Sequence, residues 1–317
     1  MNVGEPDWSA LSERGSFRAL SLIHWIATAI GRQAGRALLY PISLYFLLTA
    51  APQRRASRAY LRRVLGERAG WPEVLRHIHT FAATILDRAF LLGGQFGQFD
   101  FRIHGGEIVL EQVRSKKGCL LLGSHLGSFE ALRVLGTNQL HFPLRVLMDV
   151  GHNPTITRFF NALNPDIAET IIPVRGPNTL IEVKERLEEG YVIGTLGDRV
   201  LNREKSLSCR FLGDDARFPV GPILIAAITR CPVILAFALY AGGNRYEIYF
   251  ERLTDDVAAK HRGQPEAIHG WLQQYADRLA HYTRLFPYNW FNFFDFWGDD
   301  VTNERSPKSV PQTAGHG

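Results

Sequence analysis

Between Gly118 and Gly136 the chain reads GCLLLGSHLGSFEALRVLG, and its apolar positions change period halfway along. Cys119 to Leu122 form a short unbroken apolar run bounded by glycines, the pattern of a strand buried on both faces. Gly123-Ser124 ends the run. Beyond Gly127-Ser128, the spacing of Phe129, Leu132, Val134 and Leu135 suits a helix packed on that strand, with Ser128 as its N-cap. The same alternation continues downstream. It predicts strands at 119–123, 145–150, 169–174, 191–196, 232–240 and 245–251, and helices at 128–136, 154–163, 178–189, 220–230 and 265–285. Upstream, Val74, Ile78, Phe81, Ile85, Phe90 and Leu91 mark one side of a helix over Pro72 to Leu92. A short strand (Phe99 to Ile103) and a short helix (Ile108 to Val113) follow Gly93-Gly94. Such a sequence of elements predicts an α/β fold with a mixed, mainly parallel central sheet flanked by helices. In these folds ligands bind at the carboxyl ends of strands.

The N-terminal pattern is different. Phe17 to Ala51 is rich in Leu, Ile, Trp, Tyr and Phe but is interrupted by Arg18, His24, Arg32 and Arg36. Its longest charge-free run, Ala37 to Gln53, contains Pro41 and falls short of the ~20 residues that a spanning helix needs. Arg54, Arg55, Arg58, Arg62, Arg63 and Arg68 follow. An apolar helical stretch with a basic end predicts an element lying on, or dipping into, a membrane with anionic lipid at its surface. The plainer alternative is a pair of helices covering the core. If the stretch spans, the arginines put the rest of the chain on the cytoplasmic side. Met1 to Glu13 carries Glu5, Asp7 and Glu13 in place of a basic region, which argues against a cleaved signal peptide. The organisation expected is a lead (1–16), an apolar helical membrane-association region with a basic end (17–70), an α/β domain (71–301), and a Ser/Pro/Gly-rich disordered tail (302–317).

Composition adds limits. A 317-residue chain that is 46% hydrophobic can bury a sizeable core. A net charge of +5 permits acidic partners. The basic residues cluster beside an apolar stretch and do not interleave with aromatic residues on a sheet, which argues against nucleic acid. Cys119, Cys209 and Cys231 form no C-x-x-C pair, so they suggest neither a disulfide framework nor a zinc site.

His125 falls in the strand-to-helix loop, and Glu130 in the first turn of the helix. This is a plausible base with a carboxylate to orient it. Spacing alone is weak evidence, since 11 His and 31 acidic residues produce about one such match by chance. A second match, His261 and Glu266, lies in HRGQPE with no strand before it. Asp198, in LGDR, falls at another predicted strand end. Ser124 is one place early for a nucleophile elbow, and there is no P-loop, dinucleotide glycine motif or H-E-x-x-H. His125 and Glu130 have no third ligand at sensible spacing, so no metal is expected. A neutral imidazole can take the proton of an alcohol as it attacks an activated carbonyl, most simply a thioester. Glu130 would accept the other ring N–H, and backbone N–H groups at Gly127 and Ser128 would face the oxyanion. The bland alternative is a structural His bonded to a core Glu.

These segments together resemble the lysophospholipid acyltransferase superfamily, and within it the late, lauroyl/myristoyl-type acyltransferases of lipid A biosynthesis. The likeness runs through the apolar N-terminus, HLGSFE, IIPVRGPNTLIEVKERLEEGYVIGTLGDR, the pairing of FLG with FPVGPILIA, and PYNWFNFFDFW. It implies a glycerol-3-phosphate acyltransferase-like fold, with His125 as catalytic base and Glu130 as its orienter. Glu in place of Asp favours the lipid A branch. The superfamily's Asp-Gln is matched by Asp198-Arg199, so only the Asp carries over and the acceptor is left open. Its FFG and PTGP segments match Phe211-Leu212-Gly213 and Pro219-Val220-Gly221-Pro222, which implies a substrate-lining role for Phe218, Pro219 and Gly221. Arg175 is a candidate contact to a phosphate or a carrier. GSHLGSFEALR and PYNWFNFFDFW also resemble acyltransferases that work with pigment and aryl polyene biosynthesis. The aromatic cluster from Phe286 to Trp297 reads either as a core strip or as an acyl-lining, membrane-facing surface.

The resemblance thus implies transfer of a fatty acyl group from acyl carrier protein or acyl-CoA to a hydroxyl of a lipid or glycolipid. The acyl thioester is a co-substrate, and no other cofactor is expected. It implies a location on the cytoplasmic face of a bacterial inner membrane, either peripheral or through a single N-terminal anchor. Two alternatives stay open: a thioesterase- or lipase-type hydrolase, and a non-catalytic lipid-binding protein that retains the fold.

Overall fold

The computed structural model describes residues 29, 31–148, 169–174, 176–200, 204–257 and 265–298. The expected lead and tail, Arg18, His24, the helix at 154–163, Arg175 and His261 lie outside them.

Among the elements of the described residues, three long helices come first: α1 (Arg32–Thr49), α2 (Ala51–Leu65) and α3 (Trp71–Leu92). β1 (Asp100–His104), α4 (Gly106–Arg114), β2 (Cys119–Gly123), α5 (Phe129–Val134) and β3 (Leu144–Met148) follow. Then come β4 (Ile171–Pro173), α6 (Pro177–Glu188), β5 (Val192–Leu196), β6 (Ser206–Phe211), β7 (Asp214–Pro219) and α7 (Gly221–Thr229). β8 (Val233–Gly242), β9 (Arg245–Thr254) and α8 (Pro265–Leu285) complete the described elements. Seven strands form one sheet in the order β1-β9-β8-β2-β5-β3-β4. Every neighbouring pair is parallel except β8–β9. The expected mixed, mainly parallel α/β architecture is therefore the one observed.

β2 lies between β5 and β8 and is buried on both faces, as its unbroken apolar run requires. Alternate residues divide between two cores. Leu120 and Leu122 join Ile193, Leu235 and Phe237 on the face covered by α7 and α8. Cys119 and Leu121 join Val192, Ile234 and Ala236 on the face covered by α3 and α5. All three cysteines are buried, and burial pushes the Cys119 thiol up to about 12, which suits packing and not reactivity.

One feature departs from the expectation. β6 and β7 form a separate antiparallel hairpin, which the periodicity reading did not include. At the N-terminus, no single helix among the described residues is long and apolar enough to cross a membrane. α1 meets the helical stretch that follows it at 97°. The arginines that interrupt the apolar pattern explain the arrangement. Arg32 donates to both carboxylate oxygens of Asp87 (2.7 and 2.8 Å), and Arg36 donates to the same group at 2.5 Å. Tyr246 gives it a further hydrogen bond at 2.9 Å. Asp87 sits fully buried on α3, so these bonds fasten α1 to the α/β domain. Leu39, Ser43 and Leu47 face inward. Tyr40, Leu44, Tyr45 and Leu48 remain exposed on the outer side of α1.

Candidate active site

Gly123 at the end of β2 pairs with Leu196 at the end of β5, so the residues that follow leave the sheet side by side. The Gly197 N–H donates to the Gly123 carbonyl at 3.0 Å, and the Tyr275 hydroxyl of α8 donates to the same oxygen at 2.8 Å. This register places Asp198 next to His125, 73 residues earlier in the chain. His125 Nδ1 lies 2.8 Å from Asp198 Oδ1, and the His125 backbone N–H reaches both carboxylate oxygens at 3.0 Å. Burial alone would raise the Asp198 carboxyl. The imidazole, its hydrogen bonds and Arg199 outweigh that and hold the group at about 2. A carboxylate can only accept, so Nδ1 carries the proton. Nε2 is left as the acceptor, with no hydrogen-bond partner among the described residues. Burial and the nearby Arg199 cation lower the His125 pKa below 6.5 against the pull of Asp198, which keeps the ring neutral near pH 7. The side chain is 26% exposed, so the ring is reachable from outside.

Glu130 does not take the place expected of it. Its carboxylate is buried and pairs with Arg88 of α3 at 2.9 Å, with Arg133 3.8 Å away on its own helix. The ring N–H of His125 goes to Asp198 instead. The backbone donors expected at Gly127 and Ser128 are likewise engaged. Gly127 N–H bonds the Asn289 carbonyl and Ser128 N–H bonds the Ala238 carbonyl, both at 2.8 Å, so neither faces an oxyanion here. Gly127 sits at φ +80°, where a Cβ would come within 1.9 Å of the Ala238 oxygen, so the loop can approach β8 only with glycine there. The Ser128 hydroxyl caps α5 by accepting the Ala131 N–H at 3.3 Å, as the sequence predicts.

Arg199 stands beside the pair but turns toward the C-terminal segment. It donates to Asn292 Oδ1 (2.6 Å) and to the Phe291 carbonyl (3.0 Å). Phe218 is fully buried among Phe211, Tyr275 and Phe296. Pro219 ends β7 opposite Ser206. Gly221 opens α7, where a Cβ would meet the Glu204 carboxylate at 2.7 Å. These three belong to the packing around the hairpin, and His125 and Asp198 form a separate pair.

The sequence reading missed the residues that bind this pair from behind. Trp290 Nε1 donates to Asp198 Oδ2 at 3.0 Å, and Asn292 Nδ2 donates to the same atom at 2.9 Å. Phe291 N–H bonds the His125 carbonyl at 2.8 Å, and Leu126 forms a bridge with Trp290. Asn289 uses its side-chain amide as a strand partner for Tyr240, with bonds of 2.7 and 3.1 Å. His77 holds the Trp290 carbonyl at 2.8 Å, and Tyr60 holds that of Pro287 at 2.9 Å. PYNWFNFFDFW is therefore a strap over the dyad. Its aromatic residues Trp290, Phe291 and Phe296 pack inward, as the core-strip reading expects. The signal was present in the two asparagines, which an apolar strip does not need. A groove of about 1000 Å³ borders the strap and is lined by Arg36, Tyr40, Arg76, His79, Tyr288 and Asn289, among others.

A neutral imidazole fixed by a buried carboxylate, at the carboxyl edge of a mixed α/β sheet, has the geometry that general-base chemistry requires. Residues 82–293 match the model of the bacterial lipid A biosynthesis acyltransferases, and the chain belongs to that family. It is thus an acyltransferase with a lipid acceptor, and the broad resemblance read from the sequence holds. The match carries nothing about the pigment-associated branch. No curated protein matches the sequence.

Proposed function

We propose that His125, oriented by Asp198, is the general base that transfers a fatty acyl group from a thioester to a hydroxyl of the lipid acceptor. The observation that carries this reading is the 2.8 Å bond from Nδ1 to Asp198, which leaves Nε2 free to accept a proton. The acceptor hydroxyl attacks the thioester carbon and gives its proton to Nε2. The carbon–sulfur bond then breaks, and the departing thiolate takes that proton back from the imidazolium. Asp198 stabilises the transient cation without becoming protonated, in keeping with its low pKa. Glu130, fastened to Arg88, has a structural part in this scheme.

The donor is the thioester of an acyl carrier protein or of CoA, and the reaction takes place at the cytoplasmic surface of a bacterial inner membrane. What supports the membrane reading is the exposed apolar face of α1 beside the arginines of α2, where Arg54 and Arg58 stack on Trp71. The groove between Tyr40 and Asn289 connects that face with the strap. The test is lipid mass spectrometry of a deletion strain complemented with the wild-type or the His125→Ala chain. The variant should leave a species lighter by one acyl chain that the wild type restores. An equal level of the acylated product with His125→Ala would sink the proposal. Release of free fatty acid without any acceptor would favour hydrolysis instead.

A further inference from the structure

Asp198 Oδ2 is filled from the strap side by Trp290 Nε1 and Asn292 Nδ2, so the Nδ1 proton of His125 finds its acceptor in Oδ1. The Asn292 amide faces two ways. Its nitrogen serves Asp198, and its oxygen receives Arg199 Nε at 2.6 Å. The amide therefore stands between a buried carboxylate and the guanidinium that follows it in sequence. Left to itself, a cation beside a buried carboxylate would pair with it directly and compete with the imidazole. Asn292 is 1% exposed, Trp290 is fully buried, and neither reaches toward Nε2, where the reacting proton goes.

We propose that Asn292, seconded by Trp290, is a positioning residue for the dyad: its amide holds the Arg199 cation close to Asp198 but off it. This rests on the reading of His125 as base and goes beyond it, because it assigns a role to a strap that the reaction itself never touches. Arg199 then acts at a distance. Its positive charge disfavours the imidazolium in the resting enzyme, and Asp198 stays available to stabilise that cation when the proton arrives. The charged groups that act on the ring are Asp198 and Arg199, and the other titratable groups of the elements around it are engaged elsewhere. Asp198 and Arg199 follow β5, Tyr275 of α8 bonds the Gly123 carbonyl, and His77 of α3 is fixed between Ser57 and the Trp290 carbonyl. Glu130 on α5 is paired with Arg88. Arg199 is thus the cation that a strap substitution would redirect.

The test is the pH dependence of kcat and KM for the full-length chain in membranes, with an acyl thioester donor and lipid extract as acceptor. Asn292→Asp keeps the shape and the acceptor for Arg199 but turns the donor to Asp198 into a second carboxyl held beside it by Arg199, so negative charge gathers near the ring and the acidic limb of kcat should move up by about one unit. Asn292→Ala lets Arg199 fall onto Asp198, so the limb should move down while kcat drops about tenfold to a hundredfold, with KM within about twofold. Arg199→Gln, which can still bond the Asn292 oxygen, should move the limb up, as Asn292→Asp does. Opposite shifts in the two Asn292 variants are the signature that a merely structural residue would not give. Unmoved limbs, or loss of the folded protein in all three variants, would overturn the proposal. If His125→Ala keeps full activity, the underlying reading fails; if it is dead while the limbs stay put, only the role of the strap fails.

Discussion

At the scale of single residues, two carboxylates compete for the role of orienting His125, and geometry separates them. Asp198 is fully buried and touches the ring, whereas Glu130 is buried and touches Arg88. Asp198→Asn should therefore slow acyl transfer by about 10²–10⁴-fold, because the ring loses both its fixed tautomer and the partner of its transient cation. Glu130→Gln leaves Arg88 and Arg133 without their counter-charge and should cost roughly 3 kcal/mol of stability. At a temperature where it remains folded, it should acylate at close to the wild-type rate. Melting curves and initial rates on the same preparations distinguish the two outcomes. A large rate loss in a fully stable Glu130→Gln enzyme would restore Glu130 to the place the sequence reading gave it. That reading chose Glu130 because it is five residues away in the same motif. Asp198 becomes a neighbour only through the pairing of β2 with β5, a contact over 73 residues that no local pattern encodes. Its place at a strand end was legible, but its partner was not.

At the scale of elements, the strap depends on α3 through His77. The ring donates through Nε2 to the Trp290 carbonyl and accepts through Nδ1 from the Ser57 hydroxyl, both at 2.8 Å, and burial lowers its pKa to about 4. In the unfolded chain the same group titrates near 6.5. As pH falls below 6.5 the unfolded state takes up the proton first, so this contribution is complete above 6.5 and is lost as pH falls toward 4. The loss amounts to about 3 kcal/mol. Denaturant unfolding between pH 7 and 4 should show that slope, and His77→Gln should flatten it; equal slopes would dissociate His77 from the effect. Most elements were legible because their apolar positions keep one period over a whole segment, as in α8, where the prediction and the helix share the bounds 265–285. The β6–β7 hairpin was also written in the sequence. Leu207, Cys209, Phe211, Ala216 and Phe218 alternate around Leu212 and Gly213, and both turn residues adopt the positive φ that a two-residue hairpin favours. The resemblance read there dwelt on the FLG and PVGP segments and passed over the alternation around them.

At the scale of the whole molecule, one side of α1 is fastened through Arg32, Arg36 and Asp87, and the other side offers Tyr40, Leu44, Tyr45 and Leu48 to the surroundings. A surface of this kind next to a row of arginines should bind vesicles of phosphatidylethanolamine and phosphatidylglycerol. Replacing Tyr40, Leu44 and Leu48 together with serine should weaken that binding by about tenfold or more, and high salt should weaken it further. Co-sedimentation of the full chain measures both. Unchanged binding by the triple variant would move the membrane contact away from α1. The apolar stretch with its basic end was legible from the start. Its geometry was not, because the arginines that seemed to interrupt an apolar helix are bound to an aspartate some fifty residues downstream, on α3.

The strap also gives the enzyme an order of assembly. During synthesis α1 leaves the ribosome long before Trp290 and Asn292 do, so on the proposed membrane reading the chain can meet a bilayer while Asp198 still lacks two of its donors. If His125 is the base proposed above, competence for catalysis arrives only when the segment after α8 folds back over the loop that carries it. A nascent or shortened chain would thus be a membrane guest before it is a catalyst, and a pool of activated acyl thioesters would be spared an unfinished base.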